Sequence, residues 1–248
     1  MEKYLVQSYR GGCGKTLLTL NLAKGFLKQG KRVLLFETDV RMPSFHNILN
    51  INPEFTFNDF YEDKCTFQEL PQKIDQNFFG IFCSPEFSLT EKVFDSDRTC
   101  HTNILRKTLT GINEIRQKYD ILLIDSSPGW GYIQINNTLL TNNILLITRF
   151  GQASFQGTLN MITSFFKKTN VDYGKNLYLI WNQIPDHQDT GKYLDNWSLK
   201  FRDFINIEKE FKIPYFNDVA YQIAIGNHYI EDDCQFKNII DDIISSFS

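Results

Sequence analysis

The feature that most constrains this chain is a glycine-rich loop set between an apolar run and a helical one. Residues Ser8-Tyr9-Arg10-Gly11-Gly12-Cys13-Gly14-Lys15-Thr16 follow a strand-like stretch at 4–7. They open a stretch, 16–29, whose apolar residues recur at helical spacing. A strand that turns through glycines into a helix is the setting of a phosphate-binding loop. Glycines let backbone N–H groups converge on phosphate oxygens with no Cβ in the way, and the helix N-terminus adds its positive dipole end. On this reading the amides of Gly11, Gly12, Cys13, Gly14, Lys15, Thr16 and Leu17 cradle phosphate. The Lys15 ammonium then bridges the β- and γ-phosphates of a nucleotide, and the Thr16 hydroxyl ligates Mg²⁺.

The rest of the chain repeats that strand–helix alternation. Short apolar runs at 33–36, 78–82, 121–124, 144–147 and 177–181 read as buried strands. Stretches such as 104–118 and 154–168 carry apolar residues at helical spacing. Such alternation predicts an α/β fold with a mostly parallel central sheet and helices on both faces. The 248 residues contain no repeat, low-complexity tract or Gly/Ser linker, so one domain over 1–248 is expected. Residues 50–76, polar and holding Pro53 and Pro71, read as short helices and loops on the surface.

Three further strand ends carry chemistry. The second strand runs into Glu37-Thr38-Asp39. In a parallel sheet the carboxyl ends of the strands face the ligand crevice. Of two acids placed there, one can orient or deprotonate an attacking water and the other can hold the waters of a metal ion. The strand at 121–124 ends in Asp125, a carboxylate aimed at Mg²⁺. Ser126-Ser127-Pro128-Gly129-Trp130-Gly131 then sets two glycines around an aromatic ring, as in a loop that moves. The strand at 177–181 leads into Asn182.

These ordered motifs resemble the ParA/MinD family of deviant Walker A P-loop ATPases, from Tyr4 to about Gly226. The phosphate loop is similar to that family's K-G-G-x-G-K-[ST], with Arg10 where the family carries its first lysine and Tyr9 where the usual P-loop has its first glycine. The resemblance implies an ATPase that binds ATP or ADP with Mg²⁺, forms a homodimer on ATP and hydrolyses slowly. It implies that Asp39 positions water beside Lys15, that Glu37 supports the metal with Thr16 and Asp125, and that Arg10 reaches the partner's nucleotide. By the same likeness Asn182 contacts adenine, and Pro214, within Ile213-Pro214-Tyr215-Phe216, lines the base. Such proteins position or partition cargo through a protein partner or activator, at DNA or a membrane surface. Thr38-Asp39-Val40-Arg41-Met42-Pro43-Ser44 also resembles bacterial tyrosine kinases of the same fold, but no tyrosine follows Tyr229. A non-catalytic nucleotide-binding module is the remaining reading, and the presence of Lys15, Thr16, Asp39 and Asp125 speaks against it.

Composition narrows the output. With 26 Lys and Arg against 29 Asp and Glu, there is no basic excess of the kind nucleic-acid binding favours. Lys167, Lys168, Lys175, Lys192, Lys200 and Arg202 are interleaved with Asp172, Asp195 and Asp203 and read as a solvated face. The N-terminus lacks a signal-peptide pattern and the five cysteines are scattered, which suits reduced thiols in a cytoplasm, with attachment at membrane or nucleoid left open. His46, His101, His187 and His228 show no metal-ligand spacing. Near the end, Phe236, Ile239, Ile240, Ile243, Ile244 and Phe247 share one helical face. A membrane anchor would carry Lys and Arg opposite. Here Lys237 stands among Glu231, Asp232, Asp233, Asp241 and Asp242, so the helix is expected to dock on the core.

Overall fold

The strand that feeds the glycine-rich loop lies near the centre of the sheet. A computed structural model describes residues 1–86, 97–169, 174–230 and 234–247, with the backbone alone for 165–169. The strands are β1 (Glu2–Ser8), β2 (Val33–Glu37), β3 (Gln72–Asp75), β4 (Phe78–Ile81), β5 (Ile121–Asp125), β6 (Asn143–Arg149), β7 (Asn176–Ile184) and β8 (Lys209–Pro214). They form one sheet in the order β3-β4-β2-β5-β1-β6-β7-β8. Every pairing is parallel except β3 with β4. Around it lie α1 (Lys15–Lys28), α2 (Phe45–Ile48), α3 (Phe57–Tyr61), α4 (Arg98–Ile115), α5 (Tyr132–Leu140), α6 (Gln152–Thr169), α7 (Thr190–Arg202), α8 (Asn217–Ala224) and α9 (Gln235–Ser245).

The period-2 pleat sorts the apolar strands onto two faces. Val33 and Leu35 of β2, with Ile121 and Leu123 of β5, join Tyr4 and Val6 against α1 and α9. Leu34, Phe36, Leu122 and Ile124 face the other way, onto α3 and α4. A third cluster seats Phe155, Trp181, Trp197 and Phe201 beside β7. Because both faces are covered, the central strands are continuous apolar runs rather than alternating ones.

Residues 50–76 differ from the expectation of a surface segment. They supply α3, a 3₁₀ turn at Phe67–Glu69 and β3, and Phe57, Phe60, Phe67 and Leu70 are buried. Phe36 meets Phe57 edge-on at 4.8 Å, and Phe60 meets Phe67 at 5.4 Å. Widely spaced rings anchor an otherwise polar segment. α4 begins before the apolar pattern does, because the Asp97 carboxylate caps it by accepting from the Cys100 amide at 2.8 Å.

α9 docks on α1. Phe236, Ile240, Ile243 and Ile244 are buried, and Phe247 packs on Tyr4 and Tyr178 with ring centroids 4.6 and 5.0 Å apart. The helices approach so closely that a Cβ at Gly25 would lie 2.2 Å from Ile244 Cδ1. Among the described residues no helix is long and apolar enough to cross a membrane. All five cysteines are free.

Candidate nucleotide site

The phosphate loop leaves β1 and closes into α1 through two left-handed glycines, Gly12 at φ 71° and Gly14 at φ 89°. L side chains rarely adopt that region. At Gly14 space forbids one as well, since a Cβ would sit 2.4 Å from Asn182 Nδ2. Cys13 between them is buried.

Lys15, the first residue of α1, is only 8% exposed. Its ammonium makes no hydrogen bond or ion pair with the described residues. One turn of helix sets Thr16 and Thr19 on the same side. The Thr16 hydroxyl donates to Asp125 Oδ2 at 2.9 Å. The Thr19 hydroxyl lies 3.2 Å from Asp125 Oδ1 and 2.9 Å from the Lys15 carbonyl, and shares its one proton between them. Burial is the main force pushing Asp125 up to about 6, opposed by the Lys15 charge and the Thr16 hydrogen bond. Thr19 was not singled out in the sequence, although its i+3 spacing from Thr16 was the available signal.

Glu37 differs from the expectation. It lies in register with Asp125 on the adjacent strand, but its oxygens are committed to backbone. Oε1 accepts from the Ser44 and Phe45 amides at 2.6 and 3.0 Å, and Oε2 accepts from the Cys83 amide at 3.1 Å. The extra methylene carries the carboxylate past the strand end to the amides that open α2. Glu37 therefore ties loop 38–44 to the segment that follows β4. Burial pushes it up to about 7, against the pull of those three amides. Asp39 is half-exposed beyond it and accepts from the Met42 amide at 3.2 Å.

At the far side, β7 bulges. The pairing of β7 with β8 shifts between Trp181 and Ile184, and Gln183 takes φ 56°. The bulge turns two side-chain amides onto the phosphate loop. Asn182 Nδ2 donates to the Cys13 carbonyl at 2.8 Å and Gln183 Nε2 to the Gly12 carbonyl at 3.2 Å. Asn182 thus reaches the loop itself, and Gln183 is a loop-binding residue that no sequence pattern marked. Pro214 ends β8 beside them, paired with Ile184.

The loop after Asp125 is laced to β1. The Gly129 amide donates to the Ser8 carbonyl at 3.0 Å and Gln7 Nε2 to the Gly129 carbonyl at 2.7 Å; Ser126 Oγ lies 2.9 Å from the Val6 carbonyl and also beside Gln7 Oε1, and shares its one proton between them. Trp130 is half-buried against the cluster under α6 and α7. Arg10 is exposed. Of the basic residues read as a solvated face, Lys200 lies over Phe155, and Arg202 is 3.7 Å from Glu210. The side chains of Lys167 and Lys168, and the whole of Asp172, lie outside the described residues, as do Glu231, Asp232 and Asp233.

A buried lysine without a partner among the described residues, a loop with no room for a Cβ at Gly14 and an adjacent hydroxyl–carboxylate pair fit a magnesium-bound nucleoside phosphate. Set at the carboxyl ends of parallel strands, they define a P-loop nucleotide-binding protein. The AAA domain family model matches residues 1–177, and the chain belongs to that family. It is 23% identical over 209 residues to the antiactivator FleN of Pseudomonas aeruginosa, covering 83% of this chain and 71% of FleN. Its fold matches the septum site-determining protein MinD of Pyrococcus horikoshii, complexed with Mg-ADP, with TM-score 0.75 and 17% identity, over 100% of this chain and 96% of that one. A variant of McdA from Cyanothece in complex with ATP matches with TM-score 0.79 and 15% identity, over 100% and 96%. The fold is thus that of the ParA/MinD ATPases, as the ordered motifs imply.

Proposed function

We propose that this protein is an ATP-driven switch of the ParA/MinD type. It binds Mg–ATP, pairs with a second copy of itself, hydrolyses slowly and so positions or partitions a cargo through a protein partner. The observation that carries this reading is the buried Lys15, unpartnered among the described residues, beside the Thr16–Asp125 pair. Lys15 and the amides from Gly11 to Leu17 bind phosphate. Thr16 and Asp125 hold Mg²⁺, which when bound neutralises charge on the phosphates. Asp39, at the rim of the site, orients the attacking water, and Arg10 reaches the nucleotide of the facing copy. Asn182 and Pro214 flank the base. Glu37 acts one step back, by holding the backbone that carries Asp39.

MinD, FleN and McdA support the switch reading by likeness. The docking of α9 on the core argues against that helix as a membrane anchor, so the output surface belongs elsewhere on the molecule. A cytoplasmic protein acting peripherally at nucleoid or membrane suits this reading.

The test is Asp39→Ala. The variant should bind ATP and accumulate as a dimer in size-exclusion chromatography with light scattering, because hydrolysis is what separates the pair. Hydrolysis at the parental rate would remove Asp39 from the mechanism. Radiolabelled ATP discriminates the kinase reading: free phosphate is expected, and label retained on the protein would favour phosphotransfer.

A further inference from the structure

Arg10 must project in one direction to reach a facing subunit, yet little of its own holds it there. Its guanidinium forms no hydrogen bond or ion pair with the described residues, and the next two residues, Gly11 and Gly12, have no side chains. Glycine has the freest backbone of any residue, so the chain that follows Arg10 does little to fix its direction. The direction of Arg10 therefore rests on the two residues before it. Ser8 contributes one bond, its hydroxyl donating to the Arg10 carbonyl at 2.7 Å. Tyr9 contributes the other restraint.

The Tyr9 ring lies against α6 at Gly157. A Cβ built on Gly157 would fall 2.1 Å from Tyr9 Cε1 and 2.2 Å from Cδ1. The notch exists because a helical position that most residues would fill is left bare, at a helix-propensity cost of about 1 kcal/mol against alanine. Tyr9 as a whole is 36% exposed, so it is not an ordinary core residue. The usual phosphate loop has a glycine here, with no side chain to seat.

We infer that Tyr9 is a positioning residue for Arg10: keyed onto α6 through the Gly157 notch, it sets the direction in which the arginine leaves the phosphate loop toward a second copy of the chain. The inference rests on the reading that Arg10 acts in trans. The notch that seats the Tyr9 ring is on α6, apart from Lys15, Thr16 and Asp125 on α1 and β5. The effect of Tyr9 falls on pairing and turnover, and the cradle formed by Gly11 to Leu17 is left as it is.

A cycle of variants tests this on the full chain with Mg–ATP. Tyr9→Gly should weaken ATP-dependent dimerisation and steady-state hydrolysis by about tenfold, a size common for coupled neighbours, while ATP affinity of the monomer by calorimetry stays within about twofold. Gly157→Ala should do the same by displacing the ring. In the Tyr9→Gly background Gly157→Ala should cost nothing further, because no ring remains to meet the new methyl. Tyr9→Phe should retain parental behaviour, since the ring rather than the hydroxyl seats in the notch. In the Arg10→Ala background, Tyr9→Gly should add no loss, because Tyr9 acts through Arg10. Additive losses in either double variant, or a Tyr9→Gly protein that pairs and hydrolyses as the parent does, would overturn the positioning role. Arg10→Ala alone separates the two ideas. If it leaves pairing and hydrolysis untouched, the trans reading fails and takes this inference with it. If it abolishes them while Tyr9→Gly does not, the positioning role fails alone.

Discussion

Replacing Ile243 with alanine isolates what the terminal helix contributes. Ile243 has no exposed surface, and α9 lays it into the cluster that includes Leu22, Ala23 and Phe26 of α1. Removing its outer carbons loses their transfer free energy and leaves a cavity that neighbours fill incompletely, a combined cost of about 2–5 kcal/mol. That is a large share of the roughly 5–15 kcal/mol that holds an ordinary domain together. The half-buried Ile239 on the same helix should cost less on the same change. Urea titration followed by circular dichroism reads both. With a slope near 3 kcal/mol/M, Ile243→Ala should lower the midpoint by about 1 M. Deletion of residues 236–248 should abolish the cooperative transition, because α1, Tyr4 and Tyr178 lose their cover. An unchanged midpoint in Ile243→Ala, or a truncated protein that unfolds like the parent and merely fails to sediment with anionic vesicles, would refute the docking argument and return the helix to a lipid surface.

Further outcomes follow from the site. Lys15→Ala should abolish the calorimetric signal for Mg–ATP, and binding at parental affinity would remove Lys15 from the phosphate site. Asn182→Ala leaves the Cys13 carbonyl without its donor and should lower stability by about 1–3 kcal/mol in thermal melts, whereas Gln183→Ala, on an exposed bond, should cost less; equal losses would contradict the clasp geometry. The nucleotide-free protein should also show pH linkage. Asp125 is pushed from 3.8 up to about 6 in the folded state, so the native state binds the proton more tightly. Its contribution to stability therefore grows as pH falls from about 6 toward 4 and is lost as pH rises through 6. The buried His101, held below its usual value, works against this: its contribution is present above about 6.5 and lost as pH falls below that. The diagnostic quantity is thus a difference. Asp125→Asn should remove a stability gain on acidification that the parent retains between pH 6 and 4, and parallel curves would refute the burial argument.

The phosphate loop was legible because its chemistry is local. Nine consecutive residues carry the turn, the charge and the hydroxyl, and the flanking patterns supply strand and helix. The central strands were legible for a related reason, since burial on both faces makes them apolar runs. Edge strands lack that mark. β3 reads Gln72-Lys73-Ile74-Asp75, with one apolar side chain in four, and β8 alternates charges with Phe211 and Ile213. The fate of Glu37 was not legible either. A carboxylate at a strand end is visible in the sequence, but whether it faces the crevice or its own backbone depends on amides contributed by Ser44, Phe45 and Cys83. Gln183 owes its role to a bulge, a property of pairing that no window of sequence contains.

The close approach of Gly25 to Ile244 has a consequence for synthesis. The helix that carries Lys15 leaves the ribosome well before α9, the helix that covers its flank. β1 likewise waits for β5 and β6, more than a hundred residues later, before either of its edges is paired. Contacts of such long sequence separation form slowly, because loop closure must precede any gain from them. At about 5–20 residues per second, some ten seconds or more pass between emergence of the phosphate loop and of α9. Throughout that interval the apolar flank of α1 lacks its cover, so the nascent chain presents Leu22 and Phe26 to whatever holdase or neighbour is at hand.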